Sequence, residues 1–187
     1  MKMENELTFD QAGEIFSELL VEYADKCLDL IKNQLANDKE KNPIMNDKKE
    51  MQIKKLFLFF FIHFIDRRAF SILTPENRKK LMNPIGYMSV EGFIKNNINN
   101  FDNINQDNLL RNHLEELNAF VLKFNKFKKI IPSKGESPKD TLFWEFSKEI
   151  SLTIDNTTDI VYMTIANELI SQVISNLKID EIVEIFK

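Results

Sequence analysis

The stretch Leu56–Phe70, LFLFFFIHFIDRRAF, decides the fold. A ten-residue apolar run, Leu56 to Ile65, holds one histidine and then breaks into Asp66, Arg67 and Arg68. Any fold must hide it from water. FLFFFI has high β propensity, but nothing else in the chain offers strands to pair with it, so a helix buried on all sides is the better reading. The run is also too short to span a bilayer, which takes about 20 apolar residues. Asp47 and Glu50 form a capping pair ahead of it, and the spacing predicts a central helix over about 48–73.

Beyond that helix, Thr74-Pro75-Glu76 is a restart, with threonine placed to cap and proline at the first helical position, where its missing N–H does no harm. A third helix is expected over about Pro75 to Leu81. Pro84 and Gly86 should interrupt it, with Val90 to Ile98 adding another turn or two. The asparagine-biased segment 96–108 reads as a surface connection. From about Gln106 to Ile130 apolar residues recur at helical spacing, Leu110, Leu114, Leu117, Phe120, Phe124 and Phe127 among them. Ser137-Pro138 repeats the cap-then-proline device and predicts a helix to about Ile154. Another helix follows over about Thr158 to Leu177, and a short amphipathic one over Asp180 to Phe186.

On the N-terminal side, Thr8 with Gln11 is a capping box, and Ile15, Phe16, Leu19, Leu20, Tyr23, Cys27, Leu30 and Ile31 carry a helical stripe from about Phe9 to Ala36. NDKEKNPIMND (37–47) reads as a mobile loop. The expectation is therefore an all-α protein. It is a single domain over 1–187, an irregular or orthogonal bundle of about five to seven helices around the central one.

Composition agrees. Only 4 Gly and 5 Pro in 187 residues leave little punctuation for hairpins, and 16 Phe beside a single Trp imply a dry core of rings that need no hydrogen-bond partner. The net charge of −4 speaks against a nucleic-acid binder, because phosphate contacts rest on concentrated basic surface. Lys123, Lys126, Lys128, Lys129 and Lys134 interleave with Phe124 and Phe127, but those phenylalanines fall on the stripe that already explains burial. Acidic ends, Met1–Leu30 and Asp140–Lys187, flank a basic middle, Lys48–Lys134, so opposite charges should meet along shared seams or stay as solvated faces. The acidic start MKMENELTFD has no apolar signal segment, the lone Cys27 excludes an intramolecular disulfide, and a cytoplasmic protein is expected.

Chemistry has few footholds. GxGxxG, GxxxxGK[ST] and GxSxG are all absent from the sequence, and Cys27 within an apolar stripe has no evident cause for a lowered pKa. One constellation stands out: His63-x-x-Asp66 and His113-x-x-Glu116, each pair on one helix face. If the two helices face each other, four ligand groups converge, and Glu14, Glu18, Glu22 or Glu168 would complete a divalent-metal or acid–base site. In composition this resembles the sites of four-helix di-iron bundles. Those use Glu followed by His at three residues, the reverse of the order here, so no family residue is carried over. The competing reading makes His63, Asp66, Arg67 and Arg78 a polar latch that fixes helix register without catalysis or cofactor.

Function is thus expected to be non-enzymatic: binding a partner protein or forming a homo-oligomer, with Ile182, Val183, Ile185 and Phe186 of the terminal helix as spare apolar surface. The alternatives are a His/carboxylate metal enzyme and a small-molecule-binding domain with a phenylalanine-lined pocket.

Overall fold

The computed structural model describes residues 7–37, 43–97 and 106–187, which form seven helices and, among the described residues, no strand. These are α1 (Phe9–Asn37), α2 (Asp47–Ile72), α3 (Pro75–Asn97), α4 (Gln106–Phe124), α5 (Leu142–Asp155), α6 (Ile160–Leu177) and α7 (Ile179–Glu184). The protein is an all-α helical bundle. No described helix is long and apolar enough to cross a membrane. The centre of the loop expected at 37–47 and most of the asparagine-biased connection at 96–108 lie outside the described residues.

Local chemistry sets most helix starts. Thr8 and Gln11 cap α1 reciprocally: the threonine hydroxyl accepts the Gln11 N–H at 3.2 Å and the glutamine side chain accepts the Thr8 N–H at 2.9 Å. At α2 the capping residue is Asn46 rather than Asp47, its side-chain oxygen accepting the Lys49 N–H at 3.0 Å. Thr74 caps α3 through the Asn77 N–H, ahead of Pro75. Within α2 every side chain from Leu56 to Ile65 is buried, His63 included. An all-round apolar helix can be stable in water only in that state.

Three expectations are corrected. Pro84 does not interrupt α3, which runs unbroken from Pro75 to Asn97. Proline removes only the hydrogen bond to the Lys80 carbonyl, and Lys80 is an exposed residue whose backbone water can serve. Pro84 is also packed against α1 so closely that a Cβ built on Gly13 would stand 2.6 Å from the proline Cβ. Helix α4 stops at Phe124, short of Ile130. Helix α5 starts at Leu142, with Thr141 rather than Ser137 as its cap, the hydroxyl accepting the Trp144 N–H at 3.4 Å. The first amides of a helix have no partner inside it, and here those of Leu142 and Phe143 donate to the carbonyls of Lys129 and Ile130 in the segment after α4.

The chain packs as two compact units. Unit 1 comprises residues up to Glu22, Phe61–Glu116 and Lys178–Lys187; unit 2 comprises Tyr23–Phe60 and Leu117–Leu177. In unit 1, Phe186 stacks on Phe9 with centroids 4.7 Å apart, Asn77 donates to the Phe186 carbonyl, and Arg68 forks onto Asp180 at 2.7 and 2.6 Å. The short α7 is thereby fastened to its own chain. Val183 and Phe186, expected to be spare, are buried, Ile182 is half-buried, and of the four apolar positions named for docking only Ile185 is exposed.

Unit 2 is built on phenylalanine. Phe146 of α5 lies 4.2 Å from Phe60 and 5.4 Å from Phe57, centroid to centroid, and 6.3 Å from both Phe120 and Phe124. Offset and edge-on rings at these separations attract beyond simple burial. Charged pairs frame the core: Lys54–Asp25 at 2.8 Å, Lys32–Glu50 at 2.7 Å and Lys123–Glu149 at 2.6 Å. The Lys49 ammonium donates to the Ile154 carbonyl at 2.7 Å, placing a cation at the negative end of α5. The α5–α6 turn is held by Ser151, whose hydroxyl donates to the Thr157 carbonyl and accepts the Asp159 N–H, both at 2.8 Å.

Candidate functional site

The histidines come first, since both belong to unit 1. His63 is 0 % exposed. Burial, reinforced by Arg67 and opposed by Asp66, pushes its pKa down from 6.5 to about 4, so the ring is neutral at neutral pH. A sealed neutral imidazole offers no face to a dissolved substrate. One turn on, Asp66 receives both arms of Arg78 at 2.7 and 2.6 Å, and this hydrogen bond raises the guanidinium pKa. Arg67 is partly buried, which lowers its pKa, and Arg68 turns instead to Asp180. The Arg78 guanidinium carbon also lies over the Phe70 ring, 5.2 Å from its centroid.

His113 lies half-buried on α4 beside Phe93, centroids 6.3 Å apart. Its Nδ1 is 3.0 Å from the Leu109 carbonyl one turn back, which assigns the ring proton to Nδ1. Glu116 is exposed. Among the described residues no group of three or more His, Cys, Asp and Glu side chains could hold a metal ion, so His63, Asp66, His113 and Glu116 are not gathered into one centre with each other or with Glu14, Glu18, Glu22 or Glu168. Cys27 is buried, and burial raises its thiol pKa to about 12, opposite to what a nucleophile needs.

A different place in the molecule has the form of a binding site, and all of it lies in unit 2. Helices α5 and α6 pack on each other, and the segment 125–141 folds back over their ends. Between them is an open cavity of about 160 Å³. Its walls include Phe143 and Trp144 of α5, Met163 of α6, and Pro132 and Pro138 of the segment. Two of its lining residues, Ile131 and Ile160, are 59 % and 61 % exposed, and Val161 beside them is 40 % exposed. Four polar residues, Thr141, Ser147, Thr164 and Asn167, share the wall; of these Ser147 is buried and its hydroxyl makes no hydrogen bond to a described residue.

No family model, no curated protein and no solved structure matches this chain. Whatever the site does must therefore be read from its own chemistry.

The outer face of α6 continues from the cavity. Ile160, Val161, Thr164, Asn167, Ser171 and Ser175 are exposed along it, and Glu168 is the one charged residue in the whole helix, in a chain that is 29 % charged. The hydroxyls of Thr164, Ser171 and Ser175 are each tied to the carbonyl four residues back, at 2.8 Å. Donors already engaged this way leave a face that is smooth, small and nearly uncharged. Depletion of charge is what distinguishes the centre of a protein interface from ordinary surface. Two signals for this site stood in the sequence: the isoleucine pair before Pro132, and the lack of Lys, Arg and Asp between Ile160 and Leu177. The cavity itself takes residues from three separated segments and has no linear motif.

Proposed function

We propose that this protein is a non-enzymatic, cytoplasmic protein-interaction domain that docks its partner on the α5–α6 face. The carrying observation is the outer face of α6, with Glu168 its one charge, running into an apolar-rimmed cavity. An ordinary solvated helix in a chain of this composition would carry about four or five charged side chains. Isoleucines exposed at a cavity mouth are what a partner's apolar side chain would cover. A reduced compartment suits a chain with one buried cysteine.

The test places a photo-crosslinking amino acid at Ile160 and, as a control, at exposed Lys80 of unit 1, in the full chain inside cells. A discrete adduct at Ile160, absent at Lys80, is expected. No discrete adduct at Ile160, or the same adducts at both positions, would end the proposal.

A further inference from the structure

The junction between α6 and α7 is a single residue, Lys178, and its backbone is left-handed, with φ 45° and ψ 42°. That conformation is disfavoured for a side chain with a Cβ and is ordinarily given to glycine or asparagine. Lysine also has no side-chain oxygen to cap the helix it precedes, and no side-chain cap is made there. Its ammonium reaches only Glu181, at 3.3 Å, with both groups exposed. In the right-handed conformation Lys178 would join α6 and α7 into one helix, and the first amides of α7 would then face carbonyls of the last turn of α6.

Phase explains the break. The buried side of α6 runs through Leu169, Val173 and Leu177, and that of α7 is Ile179, Val183 and Phe186. At about 100° per residue, an unbroken helix would turn the second set about 180–240° away from Leu177, onto the side that carries exposed Glu168 and Ser175. Both sets are buried in one chain because the helix breaks at Lys178. A joined helix would leave the α7 set in water unless another groove received it.

Such a groove exists in unit 1, where α7 sits. It supplies Phe9 to stack on Phe186, Asn77 to hold the Phe186 carbonyl at 2.9 Å, and Arg68 to fork onto Asp180. Apolar anchors at i, i+4 and i+7 are how a helix fills a groove. A helix of six residues has little stability of its own, so α7 depends on these contacts, and the same groove on another molecule offers them equally. Short strained hinges invite exchange of the element they carry. We infer that the α7 groove is a self-association site in which two copies exchange residues 178–187, each unit 1 taking α7 of the other, with Lys178 right-handed in both. None of the residues lining the α5–α6 cavity takes part, so a partner docked there and an exchanged α7 are tested separately.

Light scattering on the full chain, at concentrations rising to its solubility limit, is the first measurement. A dimer in slow exchange with monomer is expected. K178G suits the left-handed junction and opposes a continuous helix, so it should raise the dimer dissociation constant at least about tenfold. An unchanged constant, or no dimer of the wild type, overturns the exchange.

Charge reversal then identifies what is exchanged. R68E sets two carboxylates against each other at the fork, and D180R sets two guanidiniums. Mixing the two variants restores both forks only if α7 crosses between copies. With one variant tagged, heterodimers above the statistical share are expected, the excess falling with salt. R68E/D180R in a single chain should self-associate like the wild type. Heterodimers at the statistical share would mean that each α7 keeps to its own groove, and the exchange would be refuted.

Discussion

At His63, one buried ring makes stability depend on pH with a definite sign. In the unfolded chain the imidazole titrates near 6.5, whereas in the fold it holds off its proton until about 4. Between those values the unfolded state binds more protons, so the stabilisation from the neutral ring is whole above about pH 6.5 and drains away as pH falls. Lowering the pH from about 7.5 to 5 should cost about 2 kcal/mol from this group. Urea unfolding across that range, with His63→Phe alongside, checks it; a wild-type slope no steeper than the variant's would refute the assignment. The Asp66–Arg78 pair is a separate matter. Asp66 is 17 % exposed at its side chain, against 54 % for Asp180 in the comparable fork with Arg68. Asp66→Asn should therefore lose about 1–2 kcal/mol, retained in high salt, and Asp180→Asn about 0.5 kcal/mol or less, vanishing in salt.

At the scale of the helix, two glycines make opposed predictions from the same substitution. Gly13→Ala in α1 would force a Cβ to 2.6 Å from Pro84, a rigid ring in a helix that cannot step aside, and should destabilise by about 1–3 kcal/mol. At Gly92 in α3 the nearest atom to a new Cβ is Val21 Cγ2 at 3.7 Å, an ordinary contact, so Gly92→Ala should stabilise by up to about 1 kcal/mol through helix propensity. Thermal melts of both variants suffice, and a shift of the same sign in each would contradict the packing described. These contacts also explain which helix limits could be read in advance. The Thr8–Gln11 and Thr74–Asn77 caps act within one turn and are visible in sequence. The close seat of Pro84 against α1 needs Gly13, far away in the chain. The start of α5 rests on the Lys129 and Ile130 carbonyls, outside the reach of a local cap signal. The Asp66–Arg78 fork was accessible for the opposite reason, since a single tight turn at Thr74 separates its helices. The α5–α6 cavity was not, because Trp144, Pro132 and Met163 meet only in three dimensions.

For the molecule as a whole, the decisive fact is that α1, α2 and α4 each contribute residues to both packing units. Neither unit owns a complete set of helices. Unfolding one must fray helices whose remaining turns belong to the other, and the chain should melt in a single cooperative step. Trp144 emission follows unit 2 and far-ultraviolet circular dichroism follows all helices; their urea transitions should superimpose, and separated midpoints would show independent domains. The buried run Leu56–Ile65 has one further consequence, which concerns the time before the fold exists. Phe57 and Phe60 pack against Phe146, so a nascent chain holds them uncovered until α5 has been synthesised, roughly 5–20 s after they emerge. During that interval FLFFFI is an apolar, strand-prone segment of the kind that captures its neighbours. The yield of folded protein should accordingly be set on the ribosome, rising with chaperone supply and with slower initiation, rather than by the stability of the finished molecule.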